Sequence, residues 1–179
     1  ESVQRHPDKL AVIARRGPDI LRLTYGELDV AANRVANALV RDGYAKSDAK
    51  PGARLAMMAP NDLDYPILHF GAARAGCPLA HVSIRANAAG RAAMLQRVDA
   101  EILFVHRDFA EEARALLTQV ETLKQIVTVG GAEGPDTLSA FIGDAEDHDP
   151  PVMIDPDDPT AITFSSGSTG EPKGVLVSH

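Results

Sequence analysis

Four short apolar runs, at 54–59, 78–82, 102–105 and 125–129, alternate with stretches whose apolar residues recur at helical spacing. That alternation constrains the fold more than any other feature of the chain. Runs of strand length without a polar alternation are buried on both faces. Strands that alternate with helices are joined by right-handed crossovers. The prediction is an α/β fold, a mostly parallel sheet flanked by helices. The intervening helices are expected at about 62–75, 88–98 and 109–117, the first capped by Asn61 or Asp62 and carrying Pro66 in its first turn, where proline is tolerated.

The N-terminal segment reads differently. Apolar runs at 10–14 and 20–23 flank Gly17-Pro18-Asp19, which predicts a β-hairpin. Thr24 with Glu27 three residues on forms a capping box, and Leu23 and Leu28 stand at the staple positions. Leu28, Ala31, Ala32, Val35 and Leu39 then line one helical face, and Gly43 is the stop signal.

Composition narrows the function. The 179 residues suit one domain or a large part of one, with 45% apolar and 24% charged residues. A net charge of −7 argues against nucleic acid or an anionic membrane as partner, and the absence of Trp argues against a base-stacking surface. No apolar run has the length of a transmembrane helix. Cys77 is the single cysteine, which excludes an internal disulfide and fits a cytoplasmic setting. It reads as a small buried residue, the histidines show no metal-ligand spacing, and Arg15-Arg16 reads as a solvated hairpin edge.

From residue 130 to 159 the chain becomes acidic and rich in Gly and Pro, with one helical patch at 138–142. This segment reads as a solvated connection between two core strands. It delivers the chain to Thr160-Ala-Ile-Thr-Phe164, a buried strand by composition. Ser165-Ser166-Gly167-Ser168-Thr169-Gly170-Glu171-Pro172-Lys173-Gly174 follows, and a strand pattern resumes at 175–177.

Residues 165–174 combine four hydroxyls, three glycines and one lysine. Glycines allow consecutive N–H groups to converge on one anion. Hydroxyls add donors, and Lys173 adds a full charge on a flexible stem. A Gly/Ser loop with a chance lysine is the bland alternative. The whole string between two apolar strands is far more specific, and it describes a polyphosphate-binding loop. It is not a Walker A loop, because Pro172 precedes the lysine and a strand rather than a helix follows. Ordering so glycine-rich a segment costs about 1–2 kcal/mol per residue, so residues 166–172 are expected to be mobile without ligand.

The string resembles the phosphate-loop signature of the adenylate-forming superfamily, which includes acyl-CoA synthetases, luciferases and peptide-synthetase adenylation domains. Leu23-Thr-Tyr-Gly-Glu-Leu28 is similar to an early segment of that family, and Ala73-Arg-Ala-Gly76, followed by an apolar strand, resembles its Ala-Gly turn. Arg85 falls where many acyl-CoA synthetases carry arginine, whereas His81 and Ser83 depart from the family's Pro and Asn/Asp. The resemblance implies that 1–179 is an incomplete N-terminal part of an adenylating domain. Within it, 130–159 is a connection and 160–179 the phosphate-loop segment.

By the same resemblance the parent is an AMP-forming acyl-CoA synthetase that uses ATP, Mg2+ and coenzyme A on a small carboxylic acid. A homodimer is compatible with it. Ser165, Ser166, Gly167, Ser168, Thr169, Gly170 and Lys173 would hold the ATP phosphates. The family's adenine-binding segment and C-terminal lysine would lie beyond His179. No catalytic residue is therefore expected within 1–179, and the chain alone is expected to be inactive. Two alternatives stay open: an adenylation domain that loads a carrier protein, and a non-catalytic nucleotide-binding or assembly module.

Overall fold

The computed structural model describes residues 2–166 and 172–178. After a short helix α1 (Ser2–Arg5), strands β1 (Leu10–Arg16) and β2 (Asp19–Thr24) form the predicted antiparallel hairpin, separate from the main sheet. Gly17 turns it at φ +60°, a value that favours glycine. Helix α2 (Tyr25–Arg41) starts at the predicted capping box. The Thr24 N–H donates to Glu27 Oε2 at 2.8 Å, and the Glu27 N–H donates to Thr24 Oγ1 at 3.2 Å.

The remaining elements follow in order: β3 (Leu55–Met58), α3 (Asp64–Arg74), β4 (Leu79–His81), α4 (Ala88–Arg97), β5 (Ile102–His106), α5 (Ala110–Arg114), α6 (Leu116–Gln119), β6 (Gln125–Val129), α7 (Leu138–Ile142), β7 (Pro159–Ser166) and β8 (Pro172–Ser178). The main sheet has six strands in the order β6-β5-β3-β4-β7-β8. All neighbours pair in parallel except β7 and β8, which are antiparallel. The mostly parallel sheet flanked by helices is therefore as predicted, with one antiparallel edge strand.

Period-two alternation distributes the strand side chains between two cores. Leu55, Met57, Ile102, Phe104, Val127 and Val129 join Val35, Leu39 and Leu68 from α2 and α3 and Phe141 from α7. Ala56, Met58, Leu103, Val105 and Ile162 join Leu95, Ala113 and Leu116 from α4 to α6 on the other face. Burial on both sides explains why these strands carry no polar alternation.

Three expectations change. The single helix at 109–117 is instead a 3-10 turn followed by the short helices α5 and α6. Helix α3 begins at Asp64 with no side-chain cap. Asp62 sits one residue before its cap position and is engaged elsewhere. Pro66 does lie in the first turn of α3, where its missing N–H costs no helical hydrogen bond.

The third change concerns 130–159, which is strapped to α2 rather than merely solvated. Asn33 Nδ2 donates to the Asp147 carbonyl at 2.9 Å, and Asn37 Nδ2 donates to the carbonyls of Glu146 (2.9 Å) and His148 (2.8 Å). Arg41 donates to the carbonyls of Phe141 (2.8 Å) and Ile142 (3.1 Å). Residues 33, 37 and 41 are spaced by four and form one line along α2. They donate to carbonyls at the C-terminal end of α7 and in the irregular segment that follows it. Further on, Asp158 pairs with Lys46 and accepts the Asp155 N–H, fixing the approach to β7.

Candidate functional site

The serine- and glycine-rich segment is framed by an antiparallel strand pair, β7 and β8. Strand β7 continues through Ser166 and β8 begins at Pro172, so five of the ten residues read as loop lie at strand positions. Ser165 faces Lys173 across the hairpin, Ser166 faces Pro172, and Phe164 faces Gly174. Ser and Gly have low intrinsic strand preference, but cross-strand pairing overrides it. Gly167, Ser168, Thr169 and Gly170 lie outside the described residues, and the expectation of mobility over 166–172 falls largely on them.

The sequence assigned Gly174 a special backbone conformation, and the structure gives it a different task. It has no positive φ. A Cβ there would stand 3.2 Å from Ile162 Cγ2 and 3.8 Å from the Phe164 ring. Gly174 thus leaves room for the side chains of Ile162 and Phe164 on β7. At the base of the hairpin, Thr160 Oγ1 donates to the Val177 carbonyl at 3.1 Å.

Register assigns the polar residues to one face. Leu79 pairs with Ala161 and Ala80 with Ile162. Ile162 belongs to the α4-to-α6 core, so the alternate positions Thr163 and Ser165, with Lys173 opposite Ser165, lie on the α3 face. Ser165 and Lys173 are both exposed. A hydroxyl and an ammonium on facing positions, next to the hairpin tip, form a donor pair that suits anionic oxygens.

Continuing the β4–β7 register by one residue sets His81 level with Thr163 on that same face. There His81 Nδ1 lies 2.6 Å from the Tyr65 hydroxyl, and the two rings stack at 5.3 Å with an interplanar angle of 8°. His69 stacks on His81 at 5.8 Å. Burial lowers the His69 pKa. It also lowers that of His81, with repulsion from His69 added. Burial raises that of Tyr65. At neutral pH the cluster is therefore uncharged. Sequence reasoning identified His81 only as a strand-end residue. The missed signal was the Tyr65/His69 spacing of four on α3 together with the position of His81 at the end of β4.

Two other readings are now settled. Cys77 is buried, its Sγ lies 3.3 Å from the Tyr44 carbonyl, and burial pushes its thiol up to about 12, so it is unreactive. Arg16 is not a solvated hairpin edge. Its Nε donates to Asp62 at 2.7 Å, and its Nη2 lies 3.4 Å from Asp64. Burial lowers its pKa, but the hydrogen bond and charge of Asp62 with Asp64 outweigh that, and the guanidinium pKa is raised. Asp64 also accepts the Gly130 N–H at 2.7 Å, so the β1–β2 hairpin, α3 and the end of β6 meet at these carboxylates.

Known proteins are similar to this chain in sequence and fold. The long-chain-fatty-acid–CoA ligase FadD13 of Mycobacterium tuberculosis is 30% identical over 159 residues, which cover 89% of this chain and 30% of that protein. The phosphinothricin tripeptide synthetase PhsC of Streptomyces viridochromogenes is 32% identical over 179 residues, covering all of this chain and 15% of that protein. The inhibitor-bound N-terminal domain of FACL13 from Mycobacterium tuberculosis superimposes with a TM-score of 0.83 at 26% identity, over 99% of this chain and 42% of that one. The chain therefore spans about a third or less of the length of these two curated relatives. The family described as AMP-binding enzyme matches residues 1–179. The hairpin, the parallel sheet and this match along the whole length lead to one assignment: the chain belongs to the AMP-binding enzyme family.

Proposed function

We propose that residues 1–179 form the phosphate-binding part of an enzyme that activates a carboxylic acid with ATP as an acyl-adenylate and passes the acyl group to coenzyme A. The observation that carries this reading is the Ser165–Lys173 pair across the β7–β8 hairpin, in a chain of the AMP-binding enzyme family. Ser165, Ser166, Gly167, Ser168, Thr169, Gly170 and Lys173 would bind the β- and γ-phosphates. Their part in the chemistry is positioning and charge neutralisation, which dominate phosphoryl-group reactions. The described residues offer no cluster of three or more acidic, His or Cys side chains for a cation. Mg2+ would share the charge of the nucleotide's phosphate oxygens.

Segment 1–179 is in this reading an incomplete adenylating domain, 130–159 its strapped connection and 160–179 its phosphate segment. A cytoplasmic setting belongs to the same proposal, supported by the single buried thiol. A second reading keeps the adenylation and changes the acceptor to a carrier-protein thiol. Its support is the similarity to the tripeptide synthetase PhsC over the whole chain.

The test is acid-dependent ATP–pyrophosphate exchange by the intact protein, followed by acyl transfer to either coenzyme A or a carrier's thiol. Exchange followed by transfer to coenzyme A is expected. Transfer only to the carrier would favour the second reading, and no exchange with any acid would leave a non-catalytic nucleotide-binding module. The 179-residue chain alone is expected to show no exchange.

A further inference from the structure

A cavity of about 380 Å³ lies at the opposite edge of the sheet from the phosphate hairpin. It opens beside the end of β6, between α2, the first turn of α3, and α7. Four strand spacings of about 4.8 Å separate β6 from β7, roughly 19 Å in all. The cavity is therefore distinct from the hairpin site, and nothing in the adenylation reading uses it. Its volume is at the low end of the range of about 300–1,000 Å³ typical of small-molecule sites. That suits a short chain or a single ring rather than a nucleotide.

The lining has two characters. Val30, Ile67, Leu138 and Ile142 supply an apolar wall. Arg16, Asp64 and Arg34 supply charge, and their states differ. Arg16 and Asp64 are satisfied by one another, by Asp62 and by the Gly130 N–H. Among the described residues Arg34 is held by Asp147 alone, with Nη2 3.7 Å from the carboxylate, too long for a hydrogen bond, and both side chains are about half exposed. Its donors are thus available at the rim of an apolar pocket.

We propose that this cavity binds a small apolar monocarboxylate, with its hydrocarbon body against Val30, Ile67, Leu138 and Ile142 and its carboxylate on the Arg34 guanidinium. Asp147 is displaced in the process, which releases one acidic side chain of the strapped connection. Arg16, set between Asp62 and Asp64, forms a polar side wall whose formal charge is −1. A dicarboxylate is disfavoured because Asp64 and Asp147 would repel its second charge.

The test is titration of the 179-residue chain with hexanoate and with 1-hexanol, followed by amide and methyl NMR shifts. Saturable shifts at Ile67, Gly131 and Ser139 are expected for hexanoate. Arg34→Met is expected to weaken its binding about tenfold, the loss of one charge-assisted hydrogen bond at a partly exposed site. Ala31→Leu, which fills the cavity from α2, is expected to abolish it, and Ser139→Leu fills it from α7 should Ala31→Leu fail to fold. Lys173→Ala is expected to leave it unchanged. Three results would each overturn the proposal: non-saturable shifts, hexanol binding as tightly as hexanoate, or full affinity in both Arg34→Met and the filled variants.

Discussion

The strands β3 to β6 and the β7–β8 hairpin belong to one sheet but are built on opposite terms. In β3 and β5 every residue is buried, and two helical layers fix each side chain from both faces. In β8 Val175, Leu176 and Val177 remain 50%, 65% and 44% exposed, and the residues of chemical interest are polar and solvent-facing. The first region is specified by packing, so nearly any change of volume is felt there. The second is held by backbone pairing and by small residues that leave room, so its side chains are free to serve a ligand.

That contrast can be broken most forcefully in the core. Phe104 is fully buried and meets Phe141 edge-on at 5.7 Å. Phe104→Ala is expected to cost about 3–5 kcal/mol of stability. Leu176→Ala on β8 is expected to stay within about 0.5 kcal/mol. Urea unfolding of both variants checks the pair, and equal losses would erase the distinction between the regions.

A smaller effect is expected where backbones touch. A Cβ on Gly52 would overlap the Gly76 carbonyl oxygen, which belongs to the turn that ends α3. No rotamer change relieves a clash with backbone, so Gly52→Ala should cost about 1–3 kcal/mol. Gly174→Ala meets only side-chain atoms, at 3.2 Å and beyond, and should cost less. Thermal unfolding of the two variants side by side ranks them. The reverse order would mean that the hairpin is packed more tightly than the core turn.

The smallest effect concerns pH and the histidine cluster that borders the hairpin. Burial depresses the pKa of both His69 and His81. Below the ordinary imidazole value of about 6.5 the unfolded chain therefore binds more protons than the folded one. Stability is fully present above that pH and declines as pH falls through it. His69→Phe keeps a ring on His81 and removes one titrating group. The drop in melting temperature between pH 7.5 and 5.5 should be shallower in that variant. An unchanged drop would show that other groups set the acid response.

These regions also differ in how far the sequence disclosed them. The apolar runs at 54–59 and 102–105 announced buried strands because a residue buried on both sides has one chemical requirement. The capping box at Thr24 was equally legible, since its hydrogen bonds are local. Strand β8 was visible only at 175–177, because Lys173 and Gly174 take strand geometry from their partners Ser165 and Phe164 and not from their own preference. The strap of Asn33, Asn37 and Arg41 onto 141–148 was hidden for a related reason. Its donors are ordinary helix-surface residues until the segment that needs them is seen to lie 100 or more residues away. Asp62 likewise looked like a helix cap and instead pairs with Arg16, a choice made by long-range geometry.

The central claim is that the hairpin bearing Ser165 and Lys173 holds the phosphates of ATP. The most direct measurement is the single-turnover rate of acyl-adenylate formation by the intact protein, with Lys173→Ala against the wild type and Leu176→Ala as the control on the same strand. Removing a charge-assisted contact of about 1.5–3 kcal/mol should slow the step roughly tenfold to a hundredfold, with the control unaffected. An unchanged rate in Lys173→Ala, at unchanged affinity for ATP, would contradict the account.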